Sequence, residues 1–337
     1  MSGRPLVLTI GPTSRAGERV LRDALHDAAE LRFHPDAGAA LDDAPDAAVA
    51  IVGGPPLPEA FIERAQRLEL VYRLGGAHAA RDEAAALQAR GVELAAPPPG
   101  LSAAATAEHT LALLLALTKR LPDGDRYVRA GNWRVPSTFD DTTRELSALT
   151  VGIVGMGHVG THLAHLLAPF GTRILCARRT PADPAGRGSA RSASPVSAAN
   201  EDVERERSAP GPAKHVPMPE LLQAADVVSL HVRAKPDTFR FGPHEFATMR
   251  PGSFFVNTAR AHLVDHEALL HALDERLAGA ALDVFPHEPH VDARLRAHPR
   301  VLLSPHAAGR TVEAAARYYG GAARAALAVV QRVAIGS

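Results

Sequence analysis

Gly155, Gly157 and Gly160 close the β-branched run Thr150-Val151-Gly152-Ile153-Val154. A helical pattern, Thr161-His162-Leu163-Ala164-His165-Leu166-Leu167, starts at their far side. In a strand–turn–helix setting, such glycines can hold the pyrophosphate of a dinucleotide. The first allows a tight turn, the second a close approach of backbone to phosphate, and the third close packing of helix on strand. The first turn of the helix, His158-Val159-Gly160, then presents backbone N–H groups and the positive end of its dipole. Three later stretches set ionisable groups at the ends of apolar runs: Val256-Asn257-Thr258-Ala259-Arg260, Leu282-Asp283-Val284-Phe285-Pro286-His287-Glu288-Pro289, and Ser304-Pro305-His306-Ala307-Ala308-Gly309. Open α/β sheets build their sites at strand ends.

The elements needed to position these groups can be read along the chain. Leu6–Ile10, Leu31–Phe33, Val49–Val52, Leu70–Leu74 and Val92–Leu94 have the apolar, β-branched character of strands, with helical spacing over Arg15–Ala29, Glu59–Arg67 and Arg81–Arg90. Alternating strands and helices imply a parallel sheet covered on both faces. Pro97-Pro98-Pro99-Gly100 breaks the pattern, and a helix apolar on more than one face follows over Ala103–Leu121, as expected for burial between domains or subunits. A polar link containing Gly131-Asn132-Trp133 leads to the glycines. Further strands fall at Arg173–Ala177, Val227–Leu230, Phe254–Asn257, Ala280–Asp283 and Val301–Leu303. The fold expected is two doubly wound parallel-sheet α/β domains. Residues 1–102 form a flavodoxin-like first domain, 103–308 a Rossmann cofactor domain, and 309–337 a helix returning to the first. Residues 180–217, rich in Pro, Ala, Ser, Gly and Arg without hydrophobic periodicity, read as an insertion, disordered or a mobile surface loop.

Composition narrows the function classes. The 337 residues suit two domains, and 46% hydrophobic residues suit packed cores. Lys+Arg 37 against Asp+Glu 37 leaves no basic field for nucleic acid or an anionic membrane. The one cysteine, Cys176, fits a reducing compartment. The N-terminus carries no signal-peptide pattern and no run is long enough to span a bilayer, so a cytoplasmic protein is expected.

With these motifs in family order, and with Ala107-Glu108-His109-Thr110 and Ser229-Leu230-His231 between them, the chain resembles the D-isomer-specific 2-hydroxyacid dehydrogenases. The resemblance implies hydride transfer between a nicotinamide cofactor and C2 of a small 2-oxo/2-hydroxy acid pair of the glyoxylate or hydroxypyruvate type, without a metal. It implies Arg260 on the substrate carboxylate and C2 oxygen, His306 as acid/base, and Glu288 holding the imidazole. Cofactor contacts would come from Gly155, Gly157, His158, Val159, Gly160, Arg178, Arg179, Thr258, Gly309 and Asp283, the last to the nicotinamide carboxamide. Backbone N–H groups of the turn Leu74-Gly75-Gly76-Ala77 would bind the substrate carboxylate. Family members are usually dimers through the cofactor domain, so a homodimer is expected.

Several departures from the family pattern sharpen the expectation. The acid that would bond the ribose 2′-OH of NAD, about 20 residues beyond the glycines, is replaced by Arg178 with Arg179 beside it. Arginine favours a 2′-phosphate, so NADP is the expected cofactor and NAD the possible one, with roughly 10- to 100-fold discrimination from one charge-assisted bond. Ala261 stands where the family usually has glycine. Ala80 replaces an acid, His78 a glycine and Arg233 a proline. Two other readings stay open: formate or phosphite oxidation on the same residues, and a nucleotide-sensing, corepressor-like protein without turnover.

Overall fold

The computed structural model describes residues 4–74, 81–134, 136–177, 213–232 and 239–336. The chain divides into two compact units, Met1–Leu101 with Arg310–Ser337, and Ser102–Gly309.

The first unit holds five strands, Leu6–Ile10 (β1), Glu30–His34 (β2), Ala47–Val52 (β3), Leu70–Arg73 (β4) and Glu93–Ala95 (β5), all parallel in the order β2-β1-β3-β4-β5. This is the flavodoxin-like order, whose direction reverses between β1 and β3. Central β1 and β3 are buried along their whole length, which is why they read as unbroken apolar runs. Edge strand β2 is partly exposed and ties Arg32 to Glu30 and Asp43, charges that blunt an open edge. The helix Arg15–Leu25 begins at Ser14, whose hydroxyl accepts from Gly17 N at 3.1 Å. It packs against the long helix Val312–Gly336. Tyr319, Ala322, Ala326 and Val330 of that helix share a core with Val7, Leu21, Val49 and Tyr72. At the end of β4 the Arg73 guanidinium is buried, donating to Gly54 O (2.9 Å) and Pro55 O (3.1 Å) and lying 3.4 Å from the Glu83 carboxylate.

The second unit holds seven parallel strands: Thr150–Val154 (β6), Arg173–Ala177 (β7), Lys214–His215 (β8), Val227–Leu230 (β9), Phe254–Asn257 (β10), Gly279–Leu282 (β11) and Val301–Leu303 (β12). Their order is β12-β11-β10-β9-β6-β7-β8, the Rossmann arrangement with one strand added at its β11 side. One face packs on Phe241, Phe246 and Phe255, with ring centroids 4.8–5.2 Å apart. The other face packs on the helices Ala103–Thr118 and His158–Leu167. Cys176, in β7, is fully buried.

The structure departs from one expectation and adds detail to two others. The tail of the stretch expected to be a structureless insertion is ordered: Lys214–His215 pairs with β7, and Val216 N donates to Cys176 O at 2.9 Å. Residues 180–212 of that stretch lie outside the described residues. The link before the glycines contains two short helices, Leu121–Arg129 and Ser137–Thr142, neither with a buried residue. The apolar helix stops at Thr118, and its buried side chains, among them Leu113 and Leu114, pack within the second unit against Leu163, Leu167, Val256 and Ala281.

Candidate active site

The glycine turn follows β6 directly. Gly155 has φ 103°, and a Cβ there would lie 2.8–2.9 Å from Val232 and His231. A Cβ on Gly160 would come within 2.2 Å of Gly155 O. The chain's own packing therefore demands these two glycines. Gly157 differs. Its φ is −88° and a Cβ would meet no atom within 4 Å. As N-cap of the helix His158–Leu167, it puts no side chain over the helix end. Room left open above a helix N-terminus fits a dinucleotide pyrophosphate. Gly155 N donates to Ala177 O at 3.0 Å, setting the end of β7 beside the turn. Arg178 and Arg179 lie just beyond the described residues. His231, at the end of β9, shares a hydrogen bond with buried Ser229 (2.8 Å), and burial pushes its pKa down to about 4.

At the far side of the sheet, three strand ends carry the remaining groups. After β10, Asn257 folds the chain back on itself, its Oδ1 accepting from Ala259 N and its Nδ2 donating to Arg260 O, both at 3.0 Å. Arg260 is exposed, and its Nη1 donates to Ala259 O at 2.6 Å. Thr258 is buried and shares a 2.8 Å hydrogen bond with Thr110. After β11 comes Asp283, wholly buried. Its two carboxylate oxygens accept from Ala307 N and Ala308 N, each at 2.9 Å. Gly309 packs on the start of the helix Ala103–Thr118, where a Cβ would lie 3.3 Å from Ser102.

His306 follows β12 with φ 52°, a left-handed conformation unusual for a residue with a side chain. Its Nδ1 meets Glu288 Oε2 at 2.6 Å, while Glu288 Oε1 accepts from Phe285 N at 2.8 Å. The imidazole is 49% exposed, and among the described residues its Nε2 has no hydrogen-bond partner. Burial works to raise the Glu288 pKa. The His306 and Phe285 hydrogen bonds together outweigh it and hold the carboxyl below its usual range. Glu288 is therefore a carboxylate at neutral pH, facing a ring nitrogen, with the opposite nitrogen open to a reactant. That is the geometry of an oriented acid/base.

The structure thus joins Glu288 to His306, and Asp283 to the two residues after His306. Arg260 is at the end of the neighbouring β10. In the first unit Leu74 is buried at the end of β4. Gly75, Gly76 and Ala77 lie outside the described residues, as do His78, Ala80 and Arg233. Reasoning from sequence gave no role to Ser304, Thr110 or His109, although His109 Nε2 lies 2.8 Å from Ser304 Oγ and 3.6 Å from Asp283 Oδ1. Polar side chains at successive positions of an otherwise apolar helix were the available signal. Among the described residues no group of three or more potential metal ligands occurs, and no helix is long and apolar enough to cross a membrane.

A Rossmann sheet with an uncrowded glycine at its helix N-terminus and a carboxylate-held histidine at its strand ends suits a dinucleotide-dependent oxidoreductase. Residues 111–200 and 189–308 match the family model described as the NAD-binding domain of D-isomer specific 2-hydroxyacid dehydrogenases. A glyoxylate reductase of Korarchaeum cryptofilum is 34% identical over 276 residues, 81% of this chain and 76% of that relative. The protein belongs to the D-isomer specific 2-hydroxyacid dehydrogenase family. Among solved structures, the TT0316 protein of Thermus thermophilus aligns with a TM-score of 0.76 at 29% identity, covering 97% of both chains. An NAD-dependent formate dehydrogenase of Staphylococcus aureus, solved with NAD, aligns with a TM-score of 0.70 at 25% identity over 95% of this chain and 94% of that one.

Proposed function

We propose that the protein reduces a small 2-oxo acid, of the glyoxylate or hydroxypyruvate type, to its D-2-hydroxy acid with NADPH. The observation that carries this reading is the 2.6 Å contact between His306 and Glu288 beside a Rossmann sheet. When bound, the nicotinamide supplies the hydride to C2. His306, through its open Nε2, donates the proton that the C2 oxygen takes up, and Glu288 holds the ring in place through Nδ1. Arg260 offers a planar, permanently charged fork to the carboxylate and C2 oxygen once it leaves Ala259 O. The resemblance assigns backbone N–H groups of the turn Leu74-Gly75-Gly76-Ala77 to the substrate carboxylate as well. Gly155, Gly157, His158, Val159 and Gly160 would hold the pyrophosphate, with Thr258, Asp283 and Gly309 on the nicotinamide side.

Preference for NADP rests on Arg178 and Arg179, which directly follow Ala177, the residue bonded to the glycine turn. A homodimer is supported by the helices Leu121–Arg129 and Ser137–Thr142, whose residues find no buried environment in one chain, and by Trp133, 83% exposed between them. Light scattering after gel filtration should give twice the chain mass, and the mass of one chain for Trp133→Ser.

Oxidation of NADPH and NADH against a panel of 2-oxo acids tests the function, with formate and NAD+ or NADP+ as the competing reaction and His306→Ala as control. NADPH-dependent turnover lost in the variant is expected. Tight NADPH binding without turnover of any acid would overturn the reading in favour of a nucleotide sensor.

A further inference from the structure

Adjacent residues of the helix Ala103–Thr118 reach two different strand ends. Thr110, itself bonded to Thr106 O at 2.7 Å, meets Thr258 at 2.8 Å, two residues before Arg260. His109 meets Ser304, two residues before His306, and lies 3.6 Å from Asp283, which holds the N–H groups of the two residues after it. His306 is therefore fixed on both flanks. Such fixing is needed, because a left-handed backbone at a residue bearing Cβ is unfavourable and persists only when its surroundings enforce it. Thr110, Thr258 and Asp283 are buried, which shields the threonine pair and the Asp283 carboxylate from competing water, while His109 is 28% exposed.

We propose that this helix is the gauge that sets the loops of Arg260 and His306 at one spacing, with His109 and Thr110 as positioning residues. The inference rests on the acid/base reading of His306 given above. His109 acts only through Ser304 and Asp283. The hydrogen bond to Ser304 fixes the loop before His306 and, with Asp283 beyond it, keeps the imidazole aimed. Loss of this bond should misaim the proton donor, while the glycine turn of Gly155, Gly157 and Gly160 that would hold the pyrophosphate keeps its geometry.

His109→Leu, which keeps bulk and drops the bond, should lower kcat for 2-oxo acid reduction roughly 10-fold while the KM for NADPH stays within about 2-fold, since small misplacements act on the chemical step. His109→Gln, which retains a donor near Nε2, should recover most of the rate. Thr110→Val should raise the KM for the 2-oxo acid through the Arg260 loop. A second readout needs no turnover. In the unliganded protein, the His306 ring signals (assigned by their absence in His306→Asn) should shift by NMR in His109→Leu and return in His109→Gln. If His109→Leu does not fold, Ser304→Ala removes the same bond from its other end. Wild-type kcat and unshifted His306 signals in His109→Leu would overturn the proposal. So would equal losses of rate and melting temperature in the Leu and Gln variants. Should the wild type turn over no acid, the functional reading fails, and the NMR comparison still decides the positioning role.

Discussion

Glu288→Gln separates the charge of the acid/base pair from its shape. Gln keeps the length and an oxygen for Phe285 N (2.8 Å), but it presents a neutral amide to His306 where a carboxylate oxygen lay 2.6 Å from Nδ1. A charge-assisted bond is worth roughly 1.5–3 kcal/mol. The side chains are 35% and 49% exposed, and screening cuts that to about 1 kcal/mol. At 1.36 kcal/mol per factor of ten, about 1 kcal/mol corresponds to about 5-fold. Reduction starts from the protonated pair, which the variant stabilises less, so kcat/KM for the 2-oxo acid should fall about 5-fold, whereas oxidation of the 2-hydroxy acid starts from the deprotonated pair and should not fall. Steady-state rates in both directions give the answer. An equal loss in both directions would refute the argument, because lost geometry does not depend on direction.

Two further outcomes follow from the cofactor unit. Gly157→Ala should melt like the wild type, since its Cβ meets nothing, yet bind NADPH at least 10-fold more weakly by fluorescence titration. Gly160→Ala, whose Cβ would strike Gly155 O, should instead destabilise the unit by about 1–3 kcal/mol. His231 sets a pH dependence of stability. Its folded pKa of about 4 lies below its unfolded value near 6.5, so below the latter the unfolded chain binds a proton that the folded chain refuses. Stability should drop by about 1–2 kcal/mol between pH 7 and 5, and His231→Gln should remove that part of the drop in urea midpoints measured at both pH values. Equal drops in both proteins would remove His231 from the account.

The central architecture was legible because burial writes itself into the sequence. Strands β1, β3, β6 and β9 are enclosed on both faces and read as apolar runs, and the glycine fingerprint marks the turn after β6. Elements without a buried face left no such trace. Lys214–His215 is a two-residue, exposed edge strand paired to β7 through its backbone, and the helices Leu121–Arg129 and Ser137–Thr142 have no fully buried residue. At the site, the order of Arg260, Glu288 and His306 was recognisable from family resemblance. The left-handed turn of His306 and the engagement of Asp283 with two backbone N–H groups were not, because both depend on contacts between residues far apart in sequence.

The position of Cys176 turns the molecule into its own stopwatch. It is the sole thiol of the chain, fully buried in β7, and the first unit contains none. A thiol reagent can react only when the cofactor unit opens, so its rate under native conditions measures the opening of that unit without interference from the other. NADPH at 100 times its dissociation constant would stabilise the closed form by about 2.7 kcal/mol and slow labelling about 100-fold, whereas a ligand confined to the first unit would leave the rate unchanged.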